Sequence, residues 1–176
     1  MIVGKRERFA IEFELDKDCG GVWLFGRFCY WIANKKIGDY EMGTSLRDVL
    51  FALDTIKNDA GNRVSNPLFN LDATMLYNYL NEELYGSSES SADNTMVIEE
   101  ACARFNITLP VDIFDLWKIF LVENLEESRL LFKKIDSEDW QQVYEIYLKK
   151  GEFDEVVIKA HNELDDIYND ELRKNK

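Results

Sequence analysis

Histidine occurs once in this chain of 176 residues, at His161, and proline only twice. A lone imidazole leaves acid–base, nucleophilic and zinc chemistry short of members, since each needs paired groups or further ligands at a working spacing. His161 falls beside the apolar stripe of a helix, reads as a boundary residue, and is assigned no role. The three cysteines, Cys19, Cys29 and Cys102, show no C-x-x-C spacing and cannot all pair with one another. They read as reduced thiols of a cytoplasmic protein, with Cys29 a small hydrophobe in an aromatic run. No run of about 18 apolar residues occurs, and the opening Met1 to Arg8 has no apolar signal core. The expectation is a chain without a membrane span or export signal. The glycines build no phosphate loop, because Gly20-Gly21 and Gly26 precede or interrupt a strand without opening a helix.

Basic residues are also scarce, at 21 lysines and arginines against 34 acids, for a formal net charge of -13. Such a field repels nucleic-acid phosphates and anionic membranes, and it speeds encounter with a basic protein. Direct nucleic-acid binding is therefore not expected.

The residues present predict one α+β domain over 1–176, an antiparallel sheet of about five or six strands packed with three or more helices. Phe9, Ile11, Phe13 and Leu15 alternate with Ala10, Glu12 and Glu14, the period of a strand with one wet face. Val22 to Ala33 is apolar or aromatic almost throughout, which predicts a central strand covered on both faces, with a bulge or bend at Gly26. Asn34-Lys35-Lys36 is the expected turn and Ile37 to Tyr40 the return strand. Ser45-Leu46-Arg47-Asp48 fits a capping box, and Leu46, Val49, Leu50, Leu53 and Ile56 follow on one face of a helix over 46–57.

A second amphipathic helix carries Leu71, Met75, Leu76, Tyr79, Leu80 and Leu84, and a mobile loop is expected near 86–95. Residues 96–108 fit neither helix nor strand cleanly. Two apolar runs around Asn124-Leu125-Glu126-Glu127 predict a hairpin, Trp140 to Leu148 a further strand, and Gly151 a break before a closing helix. That helix places Phe153, Val156, Val157, Ala160, Leu164 and Ile167 on one stripe, and residues 152–172 hold eight acids against one lysine.

Carboxylates cluster at Glu12 with Glu14, Asp16 with Asp18, Glu99-Glu100, Glu126-Glu127, and Asp165-Asp166 with Asp170. Asp16-Lys-Asp18-Cys-Gly-Gly lacks the third ligand and closing glutamate of a calcium loop. Glu12 and Glu14 are the better functional pair, although paired carboxylates on a strand are usually its wet side. No catalytic residue, metal site or cofactor follows.

Three stretches carry a family resemblance: Arg8-Phe9-Ala10-Ile11, the block from Gly26 to Phe51 with Gly38-Asp39-Tyr40 and Thr44 to Asp48, and Phe114-Asp115-Leu116-Trp117-Lys118. With the start of the last helix, Glu152 to Val157, they resemble the predicted bacterial immunity proteins numbered forty-two among the partners of polymorphic and contact-dependent growth-inhibition toxins. The resemblance implies a cytoplasmic, non-enzymatic protein that binds a cognate secreted toxin and blocks it. The acidic charge points to a basic nuclease as that toxin. Glu126, Glu127, Asp136, Glu138 and Asp139 are the expected contacts, with Trp140 as an aromatic anchor. The competing readings are a carboxylate- or metal-dependent hydrolase and an acidic adaptor or nucleic-acid mimic. The oligomeric state has no signature in the chain.

Overall fold

The alternation of Phe9, Ile11 and Phe13 drives their side chains to one side of a strand, and all three are buried. The computed structural model describes residues 1–86, 101–135 and 142–174. There, β1 (Ile2–Gly4), β2 (Phe9–Leu15), β3 (Phe25–Ile32), β4 (Lys35–Ile37) and β5 (Thr44–Ser45) form a five-stranded antiparallel sheet, in the order β1-β2-β3-β4 with β5 also paired to β3. β6 (Trp117–Glu123), β7 (Glu127–Lys134) and β8 (Tyr144–Lys149) form a separate three-stranded sheet. The α+β class and the size of the first sheet agree with the sequence reading. The later hairpin starts a sheet of its own instead of extending the first.

The reason lies in which apolar runs are buried twice. On β6 and β7, Ile119, Leu121, Leu130 and Phe132 enter the main core, while Phe120, Val122 and Leu131 enter a second core on the other face. This sheet is therefore covered on both sides, which a continuous apolar run permits. Val22 to Ala33, expected to be covered on both faces, is covered so only in its middle, where Cys29 on the outer face is wholly buried. Its start, Gly21–Trp23, is a 3-10 turn, and β3 turns Phe25 and Arg27 to an exposed outer face. Nor is Gly26 a bulge, since it pairs in unbroken register with Leu15. A Cβ there would meet the Glu14 carbonyl oxygen at 2.3 Å and Leu46 Cδ1 at 2.9 Å, so close approach excludes a side chain.

Ala33 and Asn34, at φ 50° and 63°, connect β3 to β4 with the positive φ signs of a type I′ turn. The turn thus comes one residue earlier than expected, and β4 begins at Lys35. The Ala33 and Asn34 amides donate to the Arg8 and Arg6 carbonyls at 2.9 and 2.7 Å, which holds an alanine in a conformation costing about 1 kcal/mol.

Helix α1 (Leu46–Asn58) is capped as the sequence indicates, with Ser45 Oγ accepting from the Asp48 amide at 3.2 Å. The short α2 (Asn66–Phe69) precedes α3 (Ala73–Tyr85), whose cap is Asp72. Helix α3 buries Leu76, Tyr77 and Leu80, while Met75, expected on that face, is exposed. Tyr77 is drawn inward because its ring meets Phe120 at 5.4 Å. Within 96–108 the described part holds a 3-10 turn at Cys102–Phe105. The expected mobile loop lies, beyond Gly86, outside the described residues, and the strand foreseen from Trp140 is seen from Tyr144. Gly151, at φ 80°, breaks the chain before α4 (Glu152–Lys174). Phe153, Val156, Val157, Ala160 and Leu164 of α4 are buried as the spacing requires, with Ile167 packed at the edge. Helices α1 and α4 pack on each other and on the inner face of the first sheet. No helix among the described residues is long and apolar enough to cross a membrane.

Candidate interaction surface

The outer face of the first sheet carries alternate residues of β2 and β3, so Glu12 sits opposite Cys29 and Glu14 opposite Arg27. Glu12 Oε2 accepts from the Trp31 indole at 2.6 Å and from Arg6 Nη2 at 2.9 Å. Arg6 also lies 4.4 Å from the centre of the Trp31 ring. Glu14 accepts from the Tyr40 hydroxyl at 3.3 Å, and Lys36 sits 4.6 Å above the Tyr40 ring. Burial first, then the charges of Glu12 and Glu14, push the Tyr40 phenol up to about 12. Burial likewise pushes the Cys29 thiol up to about 12. Both carboxylates are thus engaged by neighbouring donors. Among the described residues no three His, Cys, Asp or Glu side chains group closely enough to hold a metal ion.

His161 is nine-tenths buried at the floor of a groove between α1 and α4, with Nε2 3.3 Å from both Lys57 Nζ and Asp54 Oδ1. Lys57 lies 2.8 Å from Asp54, and its hydrogen bond holds that carboxyl below the usual range. The groove, about 310 Å³, is lined by Leu50, Phe51, Asp54, His161, Asp165 and Tyr168, with Asn169 at its end. Phe51 is 54% exposed and meets Tyr168 edge-on at 5.8 Å. Asp165 accepts from Asn169 Nδ2 at 3.1 Å.

One helical turn before Phe51, the Arg47 guanidinium lies 3.8 Å from the centre of the Trp23 ring. Trp23 and Phe25 are stacked 3° from parallel with centroids 6.3 Å apart, and both are nearly half exposed. A band of Phe25, Trp23, Arg47, Phe51 and Tyr168 therefore runs from the start of β3 across α1 to α4. Sequence reasoning passed over this band. The signal was present in Phe51, a large aromatic outside the apolar stripe of its helix, and in the Trp23–Phe25 spacing just before the strand proper.

Two of the contacts expected from the sequence stand outside this band. Glu126 and Glu127 sit at the tip of the β6–β7 hairpin beside the exposed Leu125, and both their amides donate to Asn124 Oδ1 at 2.7 Å. Glu127 pairs with Lys149 across the sheet, and the Lys150 amide donates to the Glu126 carbonyl. Lysines thus stand beside the tip acids. Asp136, Glu138, Asp139 and Trp140 lie outside the described residues, as do Glu99 and Glu100. Asp170, foreseen with Asp165 and Asp166 as one cluster, is engaged by Arg173 at 2.9 Å.

The profile of a family described as immunity protein 42 matches residues 1–163. The solved structure of CdiI from Burkholderia dolosa AUO158 is similar with a TM-score of 0.70 and 19% identity, over 93% of this chain and 99% of that one, a likeness of fold. A search of curated proteins finds no match.

Proposed function

Because the chain belongs to the immunity protein 42 family, we propose that it acts as a stoichiometric inhibitor. It binds a cognate secreted toxin of a contact-dependent growth-inhibition or related polymorphic system in the cytoplasm, and covers the toxin's active site or nucleic-acid channel. The family match over residues 1–163 carries this reading, and the net charge of -13 supports a basic nuclease domain as the partner. No catalytic group, metal or cofactor enters it. Glu126 and Glu127 are proposed contacts at the hairpin tip, with Asp136, Glu138, Asp139 and Trp140 beyond the described residues.

The deciding experiment searches the reading frame immediately upstream for a toxin domain and co-expresses the chain with it. Protection of the cells, together with a one-to-one complex of the purified proteins, is the expected result. Turnover of nucleic acid by the purified chain, lost on Glu12→Ala or Asp166→Ala, would replace the inhibitor by a hydrolase. Reversing Glu126 and Glu127 to lysine should slow association. An unchanged rate and undiminished protection would take the tip out of the interface.

A further inference from the structure

Resting on that toxin-binding reading, we infer that the band Phe25–Trp23–Arg47–Phe51–Tyr168 is the anchoring surface, and that the α1–α4 groove at its end receives an arginine or lysine side chain from the toxin. Three large side chains on this band, Trp23, Phe25 and Phe51, are 48, 45 and 54% exposed. Aromatic residues gathered in one exposed patch mark an interaction site, where isolated ones do not. The composition is also that of an energetic centre, since tryptophan, tyrosine and arginine dominate the residues whose truncation costs most in protein interfaces.

Charge selects the occupant. On helix α4, one wall of the groove, Glu152, Asp154, Asp170 and Glu171 are matched by Arg8, Arg63, Arg173 and Lys174, while Asp165 lines the groove itself. On the opposite wall Asp54 is already matched by Lys57 at 2.8 Å, which leaves Asp165, held by the Asn169 amide, as the carboxylate facing an incoming cation. A guanidinium or ammonium entering beside it would lie against the rings of Phe51 and Tyr168 and pair with the carboxylate at once. The band already makes the first half of this contact within the chain, through Arg47 on Trp23. A basic protein surface thus fits both the aromatic centre and its acidic border.

The test is surface plasmon resonance between the full chain and the toxin domain encoded immediately upstream, using Phe51→Ala, Trp23→Ala, Asp165→Lys and, as a control, Met75→Ala on α3. The two band variants and Asp165→Lys should each raise the dissociation rate about 30-fold or more, while Met75→Ala leaves it unchanged. Asp165→Lys alters an acid held by the Asn169 side-chain amide at the rim of the groove, so a wild-type thermal melt is expected and folding does not confound its result. Unchanged dissociation in Asp165→Lys and Phe51→Ala, with wild-type protein binding normally, overturns this inference and leaves the toxin-binding reading standing. Failure of wild-type protein to bind overturns both. Sedimentation equilibrium supplies the remaining arm: a homodimer abolished by Phe51→Ala with toxin binding intact would assign the band to a second copy and overturn the proposal.

Discussion

Arg63 and Asp154 meet across 91 residues of chain, with Nη1 donating to Oδ1 at 2.9 Å and the arginine wholly buried. The same guanidinium donates to the Arg104 carbonyl at 3.0 Å and to the Ile56 carbonyl at 2.5 Å, while the Gly61 amide donates to Asp154 Oδ2 at 3.2 Å. One side chain thereby ties the end of α1, the loop after it, the 3-10 turn at Cys102–Phe105 and the first turn of α4. Removing one partner of a buried pair leaves an uncompensated charge, so Arg63→Met should destabilise by about 3–5 kcal/mol in urea melts. Burial raises the Asp154 carboxyl, against the opposing pull of Arg63. A raised folded-state value contributes stability below the unfolded value near 3.8 that is lost as pH rises through the folded one. Without Arg63 that rise is larger, so the deficit of Arg63→Met should be greatest near neutrality and shrink toward acid. A deficit that does not vary with pH would show that the arginine works through packing alone.

Gly26 admits no side chain because the β2 backbone and the first residue of α1 both close on it. Gly26→Ala must part β2 from β3 or displace Leu46, and overpacking of this kind costs about 1–3 kcal/mol. Thermal melts should show the loss. A wild-type midpoint would mean that the strand pair yields more easily than a regular ladder does.

Val157 lies wholly buried on the inner stripe of α4. Val157→Asp places an unpaired carboxylate there and should destabilise by about 3 kcal/mol or more. Equal melting temperatures for the two proteins would assign the wrong face of α4 to the core.

Much of this fold was written in local signals. The Ser45 cap, the five-residue stripe of α1, the Asn124 turn and the α4 stripe are short-range patterns that fix an element wherever it packs, and each stands where its spacing put it. What escaped was decided at long range. The apolar character of Val22 to Ala33 and of Trp117 to Glu123 is alike in sequence, but only the second is packed between two cores, so its partners separate a second sheet from the first. Arg63 gives no local sign of burial, since its partners come from Ile56, Arg104 and Asp154. The interaction band was missed for the same reason: Trp23 and Tyr168 belong to one surface only after α4 folds across α1.

Arg8 and Glu152 join the β1–β2 connection to the start of α4 through two hydrogen bonds of 2.6 Å. The Arg8 hydrogen bond is the main reason the Glu152 carboxyl sits below its ordinary value. A lowered carboxyl contributes stability above the unfolded value, near 4.5, that is lost as pH falls through the folded one. Glu152→Gln should therefore lose stability at neutral pH and converge on the wild type in acid. Arg8 is more than a third exposed, and solvent screening holds the expected difference to about 1 kcal/mol or less. Parallel urea melts across the acid range check this, and a gap that widens as pH falls would reverse the assignment.

The net charge of -13 makes a kinetic prediction for the toxin complex. Between about 0.01 M and about 1 M salt the screening length contracts from roughly 30 Å to roughly 3 Å, so long-range attraction between an acidic inhibitor and a basic toxin is progressively erased. Association should begin near about 10⁸ M⁻¹s⁻¹ at low salt and fall toward about 10⁵–10⁶ M⁻¹s⁻¹ as salt rises. Dissociation, if the proposed aromatic contacts of Trp23 and Phe51 govern it, should change far less. Stopped-flow mixing with the neighbouring toxin domain separates the two rates. An association rate that ignores salt would mean that charge does not steer the encounter, and would remove the electrostatic ground for a basic nuclease as the partner.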